Sequence, residues 1–310
     1  MSFSSNCKDE LTRIRIKNAD QRLSQLSGIT FTAGGIRISR RPALFYHTEN
    51  PNTAKHIASI ALSLFDADAV IEEKKVEHRR RPIYEVTLSG NEINLLMEKT
   101  GAMVQTENGI RFMTEIPSCV WTNEETKRAF LRGCFLGSGS CIDPKRSYHL
   151  EIVFRERSVA EAAVGMIHSF HLPARISVRN GDRFPVYLKE GDDVSGMLAL
   201  IGASSAALSL ENTRVEKEMR NYINRTNNCV TANLDKQVVA SIRQQAAIRT
   251  IDQKIGLSAL PASLQQAAAL RIAHPDDSVQ QLADYAEIQK SGMYHRLDRL
   301  MRIAEELEEK

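Results

Sequence analysis

The sequence AFLRGCFLGSGSC, from Ala129 to Cys141, places three glycines at the end of an apolar run that otherwise reads as a helix. Gly133 lies inside the helical periodicity, where glycine costs about 1 kcal/mol relative to alanine. Gly137 and Gly139 follow at the point where the helix is expected to end and a strand to begin. A phosphate-binding P-loop would follow a strand and end in GK[ST], and no lysine follows here. We therefore favour a packing role for these glycines.

An earlier stretch, RLSQLSGITFTAGGI, repeats this pattern and aligns Gly28 with Gly133. Residues 44–71 then align with residues 150–177, each a strand, a turn, an amphipathic helix and a β-branched tail. Two further landmarks keep the same order, RPIYEVTLSG beside FPVYLKEGDD and MEKTGA beside LALIGA. Ordered self-similarity of this kind indicates a duplicated module with the pattern helix, hairpin, helix, hairpin, helix. A glycine at the same place in both copies predicts that the first helices touch at Gly28 and Gly133.

The twofold LxGxxxxxG helix resembles the LAGLIDADG homing-endonuclease fold, which implies two interface helices flanked by saddle-shaped sheets. In active members the eighth residue of the motif is an acid that holds a catalytic divalent metal. Here that position is Ala33 in the first copy and Ser138 in the second. Because neither can act as a carboxylate ligand, we predict no catalytic residue, no metal and no cofactor. Asp143 is interpreted as a turn residue in DPKR rather than as a substitute acid.

The whole chain is similar to the WhiA family of bacterial sporulation-type transcription regulators, in which a degenerate LAGLIDADG domain precedes a helix-turn-helix. The segments that carry the resemblance, in order, are MSFSSNCKDEL, FLRGCFLGSGS, NRTNNCVTAN, LPASLQQAAALRIAHPDDS and KSGMYHRLDRL. The resemblance implies DNA binding and transcriptional control of sporulation or cell division.

The predicted fold class is α+β, with a duplicated LAGLIDADG-like domain followed by an all-α helix-turn-helix domain. The predicted boundaries are residues 1–107 for the first repeat, 108–128 for a linker, 129–210 for the second repeat, 211–258 for a helical connector and 259–310 for the helix-turn-helix. An asparagine cluster from Asn224 to Asn233 predicts a kinked connection between two helices, because asparagine favours turns and caps.

From Pro261 the pattern predicts three helices in quick succession, with a capping box of Ser278 and Gln281 at the start of the second. The third helix is expected to begin near Ser291 and to enter the DNA major groove by its N-terminal residues. The predicted groove-facing residues are Lys290, Ser291, Tyr294, His295, Arg296 and Arg299. A module that binds only protein stays open as an alternative, because acids outnumber bases from Pro261 onward.

Basic residues recur at equivalent hairpin turns of the two copies and predict phosphate contacts that weaken with salt. They are Arg40 and Arg41 in the first copy, Lys145 and Arg146 in the second, Arg79 and Arg80 before the Pro82 strand, and Arg179 and Arg183 near the equivalent turn. Arg225 in the asparagine-rich segment is a further candidate. Solvated arginine-rich loops are the alternative interpretation.

Composition restricts the function less than these patterns do. The net charge of +3 is too small to indicate nucleic-acid binding by itself, and the five cysteines form no CxxC pair. Without an apolar run of about 18 residues, a membrane span is not expected, and we predict a cytoplasmic, nucleoid-associated protein. The predicted partner is double-stranded DNA, with RNA polymerase or a sigma factor as a further partner. The alternatives left open are a protein-interaction adaptor of the transcription machinery and an active metal-dependent endonuclease.

Overall fold

A computed structural model describes residues 2–75, 82–106, 109–179 and 182–309. The chain divides into two units, Met1–Lys217 and Glu218–Lys310. Within the described residues, no helix is long and apolar enough to cross a bilayer.

The first unit opens with helix α1 (Phe3–Thr12) and then carries two copies of one element pattern. The first copy consists of α2 (Ala19–Ala33), β1 (Gly34–Arg37), β2 (Ala43–Thr48), α3 (Pro51–Phe65), β3 (Asp68–Lys74), β4 (Ile83–Ser89) and α4 (Ile93–Lys99). Its four strands form an antiparallel sheet in the order β1-β2-β4-β3, here called the first sheet. A separate hairpin, β5 (Met103–Thr106) and β6 (Gly109–Phe112), and a 3₁₀ turn (Ser118–Trp121) follow.

The second copy repeats the pattern and confirms the predicted duplication. It consists of α5 (Glu124–Ser138), β7 (Ser140–Cys141), β8 (Leu150–Phe154), α6 (Arg157–His168), β9 (Arg175–Ile176), β10 (Phe184–Leu188) and α7 (Gly191–Ile201). Its strands form the second sheet, in the equivalent order β7-β8-β10-β9.

A capping box defines the start of the first helix of the second copy. Helix α5 begins at Glu124 because Asn123 forms a capping box with Thr126. The Asn123 Oδ1 accepts from the Thr126 amide at 3.0 Å, and the Thr126 hydroxyl accepts from the Asn123 amide at 3.2 Å. This reciprocal bonding satisfies two backbone donors that a helix start leaves open.

Helices α2 and α5 pack backbone against backbone at their glycines. A Cβ added at Gly28 would lie 2.1 Å from the Phe130 carbonyl oxygen, and one added at Gly133 would lie 2.0 Å from the Gln25 carbonyl oxygen. Such distances leave no room for any side chain, so glycine is required at both positions. Around this contact Leu26, Ile29 and Leu131 are fully buried and belong to one continuous core.

Helix α8 (Ser204–Lys254) spans 51 residues and runs without a break through the asparagine cluster. The predicted division into two helices is therefore wrong. Asparagine costs at most about 0.7 kcal/mol per residue in a helix, and a helix that has already nucleated gains one hydrogen bond for each residue it adds. Local preference for turns is too weak to stop such a helix.

The second unit contains a 3₁₀ turn (Leu257–Ala259) and the three predicted helices, α9 (Ala262–Ala273), α10 (Val279–Tyr285) and α11 (Lys290–Glu308). The capping box of Ser278 and Gln281 at the start of α10 is confirmed. The separate core of this unit includes Ile251, Leu264, Leu282, Met293, Leu297 and Leu300.

Candidate nucleic-acid interface

The turn between α10 and α11 sets the start of the last helix. Glu287 adopts a left-handed φ of 53°, and the Ile288 amide donates back to the Ala283 carbonyl at 3.0 Å. Bonds of this kind satisfy the last carbonyls of α10 and stop that helix. Gln289 then takes an extended conformation as the N-cap, so α11 begins at Lys290, one residue before the predicted start.

Helix α11 has one buried and one exposed face in its first turns. Met293, Leu297 and Leu300 are buried in the core of the second unit. Five of the six predicted groove-facing residues share the exposed face, namely Lys290, Ser291, Tyr294, His295 and Arg299. The Tyr294 side chain is 59% exposed, and its ring meets that of His295 edge to face at 6.2 Å between centroids. This face combines two cations, Lys290 and Arg299, with hydrogen-bonding side chains of different length.

Arg296, the sixth predicted residue, has a different environment. It is half-buried, and its Nη1 donates to the Gln266 Oε1 on α9 at 3.0 Å. One of its donors is thus used to hold α11 against α9, which makes Arg296 partly a positioning residue.

The sequence patterns did not single out Arg271 as a structural residue. It is the largest fully buried side chain of the described residues. Its Nη1 donates to the carbonyl oxygens of His274, Pro275 and Asp277, at 3.3, 3.4 and 2.7 Å, and so organises the loop between α9 and α10. Burial lowers the pKa of Arg271, and the nearby Asp277 carboxylate opposes that shift. A signal was present, because Arg271 lies seven residues after Leu264, at the spacing of the buried face of α9.

In the first unit, the open face of the second sheet is the one turned away from its helices, and it is basic. Its cations are Arg155, Arg175, Arg179, Arg183 and Lys189, against one carboxylate, Glu151, so five positive charges face one negative charge. The neighbouring Tyr187 ring stacks on His149 at 5.9 Å and lies 5.0 Å from the Lys189 Nζ. Glu151 offsets only part of the charge, through Arg179 at 3.1 Å and His149 at 3.2 Å.

The open face of the first sheet is not basic. Glu85 is only 7% exposed and contacts two cations, Lys74 at 2.8 Å and Arg37 at 3.7 Å, and the His47 imidazole at 2.8 Å. The hydrogen bond from Lys74 lowers the pKa of Glu85, with the His47 bond adding to it, while burial opposes the shift. Strand register puts Asp68 and Glu72 on the same side as Glu85. Among the described residues this face thus has two permanent cations, Arg37 and Lys74, against three carboxylates.

The predicted basic turns occupy several separate places. Arg40 and Arg41 are exposed between β1 and β2, and Lys145 and Arg146 are exposed in the turn that follows Asp143. The Asp143 Oδ1 accepts from the Lys145 amide at 2.9 Å, which is the geometry of a turn residue. Arg225 is exposed on α8, and Arg79 and Arg80 lie outside the described residues.

The positions equivalent to the catalytic acids lie at the ends of α2 and α5. Ala33 is buried at 8% exposure. The Ser138 hydroxyl is bonded to one residue of β8: it donates to the Val153 carbonyl at 2.8 Å and accepts from the Val153 amide at 3.0 Å. Beside them the Arg155 Nη1 donates to the Gly34 carbonyl at 3.0 Å. A methyl group, a bonded hydroxyl and a cation do not fit a divalent metal.

The other possible metal ligands of the described residues do not form a metal site either. In the part of the chain that the structure describes, no group of three His, Cys, Asp or Glu residues is placed to hold a metal ion. The two units thus define a LAGLIDADG-like domain without its acidic pair, followed by a helix-turn-helix.

Comparison with known proteins identifies the family. Residues 127–220 match the WhiA LAGLIDADG-like domain, and residues 223–304 match the WhiA C-terminal HTH domain. The chain is 37% identical over 312 residues to the probable cell division protein WhiA of Clostridium perfringens (strain 13 / Type A), covering 99% of this chain and 98% of the relative. The corresponding protein of Clostridium acetobutylicum is 36% identical over 313 residues, covering 99% of this chain and 98% of that relative. The chain therefore belongs to the WhiA family.

A solved structure supports the fold. The crystal structure of full-length DUF199/WhiA from Thermatoga maritima matches with a TM-score of 0.62 at 24% identity, over 99% of each chain. The predicted fold class and the predicted family are both confirmed.

Proposed function

We propose that this protein is a DNA-binding transcriptional regulator of cell division or sporulation, in which α11 reads the major groove. The observation that carries the proposal is the exposed face of α11, where five of the six predicted groove-facing residues lie together at the start of the third helix of a helix-turn-helix. Insertion of that helix by its N-terminal residues is the usual docking geometry of such domains.

The residue types on this face suit both parts of DNA recognition. Lys290 and Arg299 provide the charge that phosphates require, whereas Ser291, Tyr294 and His295 can hydrogen-bond to base edges. Arg296 keeps further guanidinium donors beyond the one that holds Gln266. Affinity is then expected to come mostly from the cations, and sequence preference from the polar side chains.

We propose further that the LAGLIDADG-like domain does not cleave DNA. Phosphodiester hydrolysis of this type needs charged oxygen ligands around a divalent metal, and Ala33 and Ser138 supply none. In this proposal the domain adds phosphate contacts through the second sheet and the turns that carry Arg40, Arg41, Lys145 and Arg146. Together with relatives named as cell division proteins, this supports a cytoplasmic, nucleoid-associated regulator rather than an enzyme.

A salt titration of binding to genomic DNA fragments tests the proposal, with magnesium present in one arm. The K290A/R299A variant is compared with K236A/R243A, which removes the same charge from exposed positions on α8. Loss of two phosphate contacts should weaken binding about tenfold or more and reduce the slope of log K against log salt by about 2. Equal binding by both variants would disprove the role of α11, and cut DNA would disprove the absence of catalysis.

A second candidate function is a protein-interaction adaptor that acts on RNA polymerase or a sigma factor. The open face of the first sheet favours it, because its carboxylates outnumber its permanent cations and Val70 is 53% exposed there. A near-neutral, partly apolar surface suits a protein better than a phosphate backbone. A polymerase complex that forms without DNA, resists salt and is lost in V70E would support this function.

A further inference from the structure

A basic cleft in the first unit lies apart from both sheets. It is formed by the segment after α1, the start of α2 and one side of α3. Its volume is about 410 Å³, and an adjoining space of about 390 Å³ shares Thr12, Arg13, His56 and Ser59 with it. The basic residues around these spaces are Arg13, Arg15, Arg22, Lys55 and His56.

The cations of the cleft have no acidic partners among the described residues. No carboxylate lines either space, and no ion pair involves Arg13, Arg15, Arg22 or Lys55 in the described part of the chain. The Nε of Arg22 is buried and makes no hydrogen bond to any described residue. This donor is thus available to an ion, a water molecule or a ligand that enters the cleft.

The nearest carboxylates of α1 are already used. The Asp9 Oδ1 accepts from the side-chain amides of Asn50 and Asn52, both at 2.8 Å. The Glu10 carboxylate accepts from the backbone amides of Ser205 and Ala206 at 2.7 and 3.1 Å. Both carboxylates keep their charge, and both border a neighbouring pocket with Arg13, but neither lines the two spaces of the cleft.

His56 is held in its neutral form at one wall. The side-chain amide of Gln25 hydrogen-bonds to the His56 Nε2, with 3.0 Å between the two nitrogen atoms. Burial, together with the charge of Arg132, lowers the pKa of His56 to about 4. At neutral pH the imidazole is therefore a neutral polar group and not a fifth charge.

The remaining lining is mixed. Thr12, Ser59 and Ser63 add hydroxyl groups, and Ile14, Ile16 and Ile60 provide an apolar wall. Convergent cations beside a small apolar surface are typical of sites for phosphorylated small molecules.

The second copy shows that the fold does not require this cleft. At the places of Lys55, His56 and Ser59, the aligned residues of α6 are Glu161, Ala162 and Gly165. Glu161 pairs there with Arg157 at 2.8 Å, so its surface is neutralised internally. Lys127 keeps the charge of Arg22 in the second copy, but the polar and cationic side of α3 is not repeated there.

We propose that this cleft binds a small molecule with two or more phosphate groups, of the nucleoside diphosphate class. Four permanent cations without acidic partners match two to four phosphate charges, and the volume falls within the range of about 300–1,000 Å³ usual for small-molecule pockets. The arginines supply forked donors to the phosphate oxygens, Lys55 and the hydroxyls supply single donors, and the isoleucine wall receives the base.

Isothermal titration of the full-length protein with ADP, GDP and inorganic pyrophosphate in phosphate-free buffer tests the proposal. The R15A/R22A variant should lose at least about tenfold in affinity, as the loss of a charge-assisted contact predicts. R13A/K55A changes two exposed side chains and should act in the same direction if R15A/R22A fails to fold. The charge-matched control K99A/R111A, outside the cleft, should bind like the parent.

The histidine provides a second readout. The ¹⁵N signals of His56 should shift on addition of ADP in the parent and not in R15A/R22A. ADP binding tighter than pyrophosphate supports the nucleotide class, whereas equal affinities would overturn the role of the apolar wall. Absence of binding, equal binding by the cleft variants, or displacement of ADP by a DNA duplex at this same cleft would overturn the proposal.

Discussion

The two repeats of the first unit share one topology and carry opposite open faces. Both sheets have the same strand order, yet the second presents five cations against one carboxylate, while the first presents two permanent cations against three carboxylates. Duplication has kept the buried half of each sheet and changed the exposed half. Topological equivalence therefore does not imply equivalent binding.

Strand alternation explains how the two halves separate. Leu44 pairs with Leu88 in the first sheet, and Leu150 pairs with Leu188 in the second, all four being buried. One position further, on the open face, Phe45 of the first copy is replaced by Glu151 of the second. Because successive side chains point to opposite faces, packing constrains only every second residue.

The strongest test of the duplication concerns the contact that joins the repeats. Gly28→Ala should reduce the free energy of unfolding by about 4 kcal/mol, because the added methyl would meet the Phe130 carbonyl at 2.1 Å and the backbone of α5 cannot move aside cheaply. Chemical denaturation measures the change.

Gly165→Ala on α6 is the matched control for that substitution. A Cβ there has no neighbour within 4 Å, so the same change should stabilise the protein by about 0.5–1 kcal/mol. Equal effects of the two substitutions would contradict the close packing of α2 on α5.

A second test uses His56, which the second copy replaces with Ala162. The folded-state pKa of His56 is about 4, below the ordinary value of 6.5, so the unfolded chain takes up a proton first as the pH falls. Stability linked to His56 is complete above pH 6.5 and is lost between about pH 6.5 and 4, by at most about 3 kcal/mol.

Denaturation of the parent and of His56→Ala across this range isolates that effect. The difference in unfolding free energy between the two proteins should shrink steadily from pH 6.5 to 4. A constant difference would show that His56 titrates normally in the folded protein. Phosphate-free buffer avoids any ligand effect at the neighbouring cleft.

The smallest expected effect concerns the open faces themselves. R175A/R183A on the second sheet should weaken binding to bulk DNA about tenfold at low salt, because two phosphate contacts are lost. R37A/K74A on the first sheet removes the same charge from residues that already contact Glu85, and should change affinity less than about twofold. Equal losses from both faces would remove the asymmetry on which the comparison rests.

Some features followed from the sequence alone. The repeated glycine pattern predicted the duplication, and the proline boundaries with the Ser278 capping box predicted the three C-terminal helices; both are confirmed. Local patterns succeed here because capping, periodicity and turn chemistry act within a few residues. The exact domain boundaries and the DNA-contacting roles of the basic turns remain predictions.

Other features depend on distant parts of the chain. The break between two helices expected at the asparagines is absent, since α8 continues from Ser204 to Lys254, well beyond the segment whose turn preference was considered. Arg296 positions α11 because it contacts Gln266, 30 residues earlier in the chain. Arg271 positions a loop because it binds the backbone carbonyls of that loop. Neither contact can be read from local sequence patterns.

The sequence by itself determined the repeat, the family pattern and the loss of acids at Ala33 and Ser138, because these depend on residue identity and spacing. Only the tertiary structure decided which charges are neutralised. Glu85 lies 38 residues from His47 along the chain, and the cations of the cleft come from three separate segments. Electrostatic strength depends on distance, burial and partners in space, and a linear count of charges contains none of these.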